Sequence, residues 1–126
     1  TLKSLEQIHK HGLVHSDLHS GNVLLGFNGV KGSIKIGDLG LCQDVDPNFK
    51  NNNSYGILPY TAPEVLENFI QTTASDIYSF GMLMWEFTTG YQPFSNKAHN
   101  DKLILEILKG ERPKITEDTP SIFANL

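Results

Sequence analysis

The stretch "HSDLHSGNVLL", residues 15–25, holds an aspartate and an asparagine five positions apart. Asp17 and Asn22 precede an apolar run, and another aspartate, Asp38, stands in "GDLG" after a second apolar run. Transfer of a phosphoryl group needs a carboxylate beside the attacking hydroxyl and oxygen ligands that hold magnesium against the phosphates. Mg²⁺ prefers oxygen ligands, which carboxylate and amide side chains supply. The spacing therefore suggests Asp17 as the catalytic carboxylate, with Asn22 and Asp38 as metal ligands.

The first forty residues predict a helix and a hairpin that could position these groups. The helix is indicated by apolar residues at helical spacing, and it would end near Gly12. These apolar residues are Leu2, Leu5 and Ile8. Residues 23–25 and 33–36 predict two short strands joined by the turn-rich "GFNGVKG". Both acidic sites therefore flank one predicted hairpin.

The rest of the chain predicts one loop and three helices. Residues 42–54 contain Pro47 and "NNNS" without periodicity, which is typical of a mobile loop. A short helix follows at "APEVLEN". Residues 76–89 carry apolar side chains almost all round a helix, so we expect this central helix to be buried on every side. Residues 101–109 predict a last helix with one apolar face.

The composition excludes several classes of function. The chain has 126 residues, of which 39% are hydrophobic and 19% charged, as in one soluble globular domain or a piece of one. Its net charge is −4 and it has no basic run, so we expect no nucleic-acid partner. The single cysteine, Cys42, cannot form an internal disulfide, which favours a reducing, cytoplasmic compartment. We expect no membrane span, because the longest apolar stretch falls well short of about 20 residues.

The order of four motifs resembles the protein kinases. "HSDLHSGN" follows their catalytic-loop pattern H-R-D-L-x-x-x-N, with Ser16 in place of arginine. "DLG", residues 38–40, is similar to their D-F-G metal motif, and "APE", residues 62–64, is similar to the end of their activation segment. "DIYSFG" resembles the start of their central helix. The resemblance implies an α+β protein-kinase-like fold, of which this chain is the mainly α-helical C-terminal lobe with a short β-hairpin.

The same resemblance assigns roles to individual residues. It implies ATP and Mg²⁺ as cofactors and a protein substrate, with catalytic loop 15–22 and activation segment 38–64. Asp17 would be catalytic, and Asn22 and Asp38 would bind the metal and nucleotide. In the central helix, the Asp76 carboxylate would accept backbone N–H groups of the catalytic loop. The other implied structural or regulatory residues are His15, Leu39, Gly40 and Glu64, and the possible phosphorylation sites are Ser54, Tyr55 and Thr61.

Several of these residues have plainer explanations. Asp76 could simply cap a helix, since Thr73 and Ser75 stand beside it. His15 could be a packed, hydrogen-bonded core residue, and Cys42 a small buried apolar residue rather than a reactive thiol. Three histidines spaced by four could bind zinc on an unbroken helix, but Gly12 argues against that helix. They are His11, His15 and His19.

Three functions remain open on the sequence. Small-molecule phosphotransferases of the same superfamily have similar catalytic loops, whereas "SYGILPYTAPEVL" and "DIYSFGMLMWEFTTG" favour a protein kinase. A pseudokinase scaffold would usually have lost one of the three site residues, and all three are present. Among protein kinases, "DLHSGN" lacks the lysine typical of Ser/Thr kinases two positions after the aspartate, which favours the tyrosine-kinase-like branch. The acceptor hydroxyl, Ser/Thr or Tyr, stays open.

The resemblance covers nearly all of residues 1–126 but only about half of a kinase domain. No glycine-rich phosphate loop and no "VAIK"-like lysine occur in the sequence, so we expect the N-terminal lobe to be absent from this stretch. The arginine that would pair with Glu64 is also not found, because Arg112 precedes the region where it would stand. We therefore expect this stretch alone to be inactive and its full-length parent to be the enzyme.

Overall fold

The computed structural model describes residues 2–29, 31–40, 42–44, 57–117 and 119. It contains four α-helices, two antiparallel strand pairs and two 3₁₀ turns within these ranges. The helices are α1 (Leu2–Lys10), α2 (Pro63–Asn68), α3 (Thr73–Thr89) and α4 (Asp101–Leu108). The strands are β1 (Leu13–Val14), β2 (Val23–Asn28), β3 (Lys31–Ile36) and β4 (Gln43–Asp44), and the 3₁₀ turns are Ser20–Asn22 and Leu58–Tyr60.

The β2–β3 hairpin is present, but its strands are longer than predicted. The register runs from Val23 opposite Ile36 to Asn28 opposite Lys31, so most of "GFNGVKG" is strand. The strands were predicted too short because glycine usually marks a turn. Here Gly26 leaves room for its cross-strand neighbour, since a Cβ at this position would lie 2.9 Å from Oγ of Ser33.

A second strand pair joins the start of the predicted loop to the segment before the catalytic loop. Leu13 and Val14 pair antiparallel with Asp44 and Gln43. The expectation of a loop from residue 42 was therefore wrong at residues 43 and 44. Strands of two residues carry no readable period, so only the folded chain reveals them. Residues 45–54 lie outside the described residues.

Helix α3 begins three residues earlier than predicted, at Thr73. Its N-cap is Thr72, whose side chain accepts the backbone N–H of Ser75 while the Ser75 hydroxyl binds the backbone N–H of Thr72. Asp76 is therefore not the N-cap. The expectation of burial on every side was also wrong within the described residues, because Ile77 and Phe87 are exposed.

Two clusters of buried side chains hold these elements together. The larger packs α1, the catalytic loop and α3 around Leu5, Leu18, Tyr60, Phe80, Met82 and Leu83. The smaller packs α2 against α4 through Leu66, Phe94, Leu103 and Ile107. Helices thus form most of the regular secondary structure among the described residues, with the hairpin beside them, as the predicted α+β architecture requires. Among the described helices, none is both long and apolar enough to cross a bilayer.

Candidate active site

The catalytic loop begins at a buried anchor on α3. Asp76 is 1% exposed, and its carboxylate accepts the backbone N–H groups of His15 at 2.8 Å and Ser16 at 2.9 Å. The Nε2 atom of His9, on α1, lies 2.8 Å from the same carboxylate. A buried carboxylate is shielded from water, so it costs free energy unless groups of the protein donate hydrogen bonds to it. The three contacts tie α1, α3 and the catalytic loop together.

His15 links the catalytic loop to the chain before Asp38. Its buried ring accepts the backbone N–H of Asp17 at Nδ1, over 3.3 Å. The neutral ring therefore carries its proton on Nε2, which donates to the carbonyl of Gly37 at 3.2 Å. This is the packed, hydrogen-bonded histidine that the plainer explanation describes. One side chain thus positions the backbone beside both aspartates of the site.

Asp17 and Asn22 contact each other directly. The amide nitrogen of Asn22 donates to the backbone carbonyl of Asp17 at 2.7 Å and to its Oδ2 atom at 3.2 Å. Because the nitrogen serves Asp17, the amide oxygen of Asn22 is the atom left to bind a cation. None of the described residues donates a hydrogen bond to the second carboxylate oxygen of Asp17, Oδ1. That oxygen is available to accept a proton.

Asp38 is brought beside Asn22 by the end of the hairpin. The backbone N–H of Gly37 donates to the carbonyl of Asn22 at 2.7 Å. Asp38 is the next residue, so its backbone lies close to that of Asn22. Asp38 is exposed, and its Oδ1 accepts the N–H of Gly40 at 3.2 Å. Leu39 between them is also exposed. In the predicted motif 38–40, the Asp38 carboxylate is thus hydrogen-bonded to the backbone of Gly40, and the backbone of Asp38 is one residue from the contact of Gly37 with Asn22.

Two residues of the site have backbone angles that favour glycine. Ser16 has φ 70° and Asp38 has φ 52°. The left-handed region costs a non-glycine residue about 1 kcal/mol or more, and such residues concentrate at functional sites. In the catalytic loop this cost is offset by the hydrogen bond from Ser16 N–H to Asp76.

The donor set fits magnesium. The Asn22 amide oxygen and the Asp38 carboxylate are hard oxygen ligands, and Mg²⁺ in phosphate-transfer sites commonly takes one or two protein ligands plus phosphate oxygens. Zinc on three histidines does not fit, because α1 ends at Lys10. His11 lies in the following turn, His15 is buried under the loop, and His19 caps the 3₁₀ turn.

Tyr60 is a residue of the site region that the sequence did not reveal. Its hydroxyl donates to the Glu86 carboxylate on α3 and accepts from Oγ of Ser20 at 3.3 Å. Burial, followed by this contact with Glu86, raises the pKa of Tyr60 to about 12, so the hydroxyl stays protonated as a donor. The partners are 26 and 40 positions away, and no local pattern connects them.

The remaining predicted residues lie at the edge of the site or outside the described structure. Ser54 and Tyr55 are outside it. Thr61 is 5% exposed and its hydroxyl donates to the carbonyl of Ile57, so this conformation shields it from a modifying enzyme. Glu64 is exposed and forms no ion pair with a described residue. Arg112 instead donates to the carbonyls of residues 107 and 111.

Cys42 has the chemistry of a protonated thiol. Partial burial, and then the charges of Asp76 and Asp38, raise the pKa of its thiol above the ordinary value. The thiolate is the reactive form of cysteine, so these surroundings disfavour a nucleophile. This supports the interpretation of Cys42 as a small packing residue.

With this geometry established, comparison with known proteins decides the family. A family model described as "Protein kinase domain" matches residues 1–122. The chain belongs to the protein kinase family.

Individual relatives agree with this family. A probable serine/threonine-protein kinase of Dictyostelium discoideum is 31% identical over 98% of this chain and 8% of its own length. A putative ribosomal protein S6 kinase alpha-1 of Caenorhabditis elegans is 37% identical over 86% of this chain and 13% of its own. A vascular endothelial growth factor receptor kdr-like protein of Danio rerio is 35% identical over 94% of this chain and 9% of its own. The chain thus spans a small part of each.

These kinase relatives do not select one branch of the family. Proteins named as serine/threonine kinases and proteins named as growth factor receptors match the chain at similar identity. The acceptor residue therefore does not follow from similarity alone. Family membership does establish the fold as that of a protein kinase domain, with the described helices and hairpin belonging to one part of it.

Proposed function

We propose that this chain is the catalytic lobe of an ATP-dependent protein kinase, which transfers the γ-phosphate to a Ser/Thr or Tyr hydroxyl of a protein. One observation carries the proposal: Asn22 is hydrogen-bonded to Asp17 through its side chain and to Gly37, the residue before Asp38, through its backbone carbonyl. These contacts support a site in which Asp17 is the base and Asn22 and Asp38 are the two oxygen ligands. Phosphoryl transfer needs these groups because its transition state is mainly positioned and neutralised.

Each residue has a defined task in this mechanism. Asp17 orients the acceptor hydroxyl and takes its proton at Oδ1, while Oδ2 stays with Asn22. Asn22 and Asp38 would hold Mg²⁺ through their oxygen atoms, and the ion would supply the positive charge that neutralises the phosphate oxygens. His15 and Asp76 fix the loop, since their hydrogen bonds end on the backbone of residues 15–17 and 37.

The retained site residues favour an enzyme over a scaffold. A pseudokinase that had lost phosphoryl transfer would be expected to lack one of these three groups. The family match and the kinase names of the relatives favour a protein acceptor over a small molecule. Within the family, the motif "DLHSGN" lacks the lysine that is typical of Ser/Thr kinases two positions after the aspartate. This supports the tyrosine-kinase-like branch.

Replacing the proposed metal ligand tests the site directly. In the full-length protein, Asp38→Ala is expected to weaken Mg²⁺-dependent ATP binding by about tenfold or more, because a charged ligand is lost (about 1.4 kcal/mol per tenfold). Calorimetric titration with ATP, with and without Mg²⁺, measures the difference. Asp101→Ala, an exposed carboxylate on α4, is the control and should bind as the parent does. Equal affinity of Asp38→Ala and the parent would contradict the assignment.

Ser16 leads to a prediction about regulation. An arginine at this position could pair with a phosphate on the activation segment by charge-assisted hydrogen bonds, and serine carries no such charge. We therefore expect activity to be independent of phosphorylation at residues 54, 55 and 61. The measurement compares the parent with a Ser54→Ala, Tyr55→Phe, Thr61→Ala variant after phosphatase treatment and after activation. Activation of more than about tenfold in the parent alone would refute the prediction.

A further inference from the structure

His19 lies against the proposed base without a role in the mechanism above. Its Nε2 atom is 3.5 Å from Oδ2 of Asp17, and the two side chains are only 16% and 17% exposed. This separation is longer than the roughly 2.7–3.2 Å that is usual for an N–H···O hydrogen bond, and catalytic contacts that are long without substrate commonly shorten when substrate binds. His19 is therefore the second side chain, after Asn22, that approaches this oxygen.

The contact of Nδ1 determines which nitrogen of the neutral His19 ring carries the proton. Nδ1 accepts the backbone N–H of Gly21 at 3.1 Å. An acceptor nitrogen carries no proton, so Nε2 of the neutral ring carries it and faces Asp17. The neutral ring can therefore donate to the carboxylate without any change of charge once the two groups approach more closely.

Two neighbours limit where the His19 ring can lie. The ring of Tyr60 lies 6.3 Å away, centroid to centroid, at an interplanar angle of 49°. A Cβ at position 21 would lie 2.9 Å from Cε1 and 3.0 Å from Nδ1 of His19. Glycine at position 21 thus leaves the space that the ring occupies.

We propose that His19 is a positioning residue for Asp17. It holds Oδ2 together with Asn22, so that Oδ1 is directed to the acceptor hydroxyl. Gly21 is the residue that permits this ring position. The inference rests on the proposed function and deepens it, because it assigns the orientation of the base to a histidine in the loop.

A purely structural role is the alternative, since His19 is the N-cap of the 3₁₀ turn Ser20–Asn22. Two substitutions separate the capping role from the positioning role. One keeps the acceptor that caps the turn, and the other keeps the donor toward Asp17. Asn places an acceptor near the position of Nδ1, so His19→Asn keeps the cap and loses the donor toward Asp17. Gln reaches as far as Nε2, so His19→Gln keeps an amide donor there. The matched controls are His11→Asn and His11→Gln, at an exposed histidine outside the site.

The variants are compared in the full-length protein by steady-state kinetics, with ATP and a peptide mixture that offers Ser, Thr and Tyr. We expect His19→Asn to lower kcat about tenfold (about 1.4 kcal/mol) with unchanged KM for ATP and unchanged thermal unfolding. His19→Gln should recover most of that rate. An unchanged kcat in His19→Asn, a loss in His19→Gln as large as in His19→Asn, or a rate loss that follows a lowered Tm would overturn the proposal.

A double-mutant cycle tests the part played by Gly21. Gly21→Ala should lower kcat as His19→Asn does, because the added Cβ displaces the ring. In the double variant the two losses should not add, since they remove one interaction. Additive losses would overturn the link between Gly21 and His19. A parent that binds ATP with Mg²⁺ but phosphorylates no peptide would instead overturn the proposed function, and the inference with it.

Discussion

Asp17→Asn is expected to lower kcat for phosphoryl transfer by about 10²- to 10⁴-fold, the usual contribution of a general base. The amide has nearly the same shape as the carboxylate but cannot accept the hydroxyl proton. The hydrogen bond from Asn22 to the backbone carbonyl of Asp17 does not involve the side chain, so the loop should keep its shape. Nucleotide affinity should therefore stay within about twofold of the parent.

Two measurements on the full-length protein separate these effects. ADP release in the presence of acceptor peptide gives kcat, and calorimetry gives the affinity for ATP with Mg²⁺. Asp101→Asn is the matched control, since it makes the same chemical change at an exposed residue on α4. A parental kcat in Asp17→Asn would show that Asp17 is not the base. A lost affinity for ATP would show that its main role is to build the binding site.

Asp76→Ala is expected to have the largest effect on stability. Its carboxylate is buried and serves three donors, from His9, His15 and Ser16. A buried donor that loses its acceptor typically costs about 1 to 3 kcal/mol, and Asp76→Ala leaves several donors unsatisfied at once. The left-handed backbone of Ser16 would also lose the hydrogen bond that offsets its strain.

The donors that Asp76 serves lie in α1 and at the start of the catalytic loop, so hydrogen exchange can locate the destabilisation. Hydrogen exchange followed by mass spectrometry should show faster exchange in peptides covering residues 13–22 of Asp76→Ala, while peptides of α4 keep their protection. Asp101→Ala serves as the control. Unchanged protection of residues 13–22 would contradict the anchoring role.

The sequence predicted the elements that carry a strong local signal. The spacing of Leu2, Leu5 and Ile8 marks α1, and "APEVLEN" marks α2. The boundaries were missed where tertiary contacts override local preference. Gly26 is tolerated in β2 because Ser33 occupies the space opposite it. The start of α3 was missed because its capping box uses serine, where glutamate or glutamine is the more common signal.

Residue type and order in the sequence were enough to predict which residues form the site, but not which side chains surround them. Asp17, Asn22 and Asp38 were selected by chemistry and spacing, and the structure brings their backbones together through the contact of Gly37 with Asn22. The environment of these residues could not be predicted. Tyr60 meets Glu86 across 26 positions, and His19 acquires its donor role only through the tautomer set by Gly21. Such contacts depend on the folded chain and leave no period in the sequence.

The fate of the γ-phosphate tests the proposed phosphoryl transfer most directly. The full-length protein is incubated with Mg²⁺, γ-labelled ATP and the mixed peptide acceptor, and mass spectrometry identifies the products. We expect one phosphorylated peptide hydroxyl for each ADP released, and almost none with Asp17→Asn. Binding of ATP with Mg²⁺ but no phosphopeptide from the parent, or labelled phosphate found only on small molecules, would contradict the account.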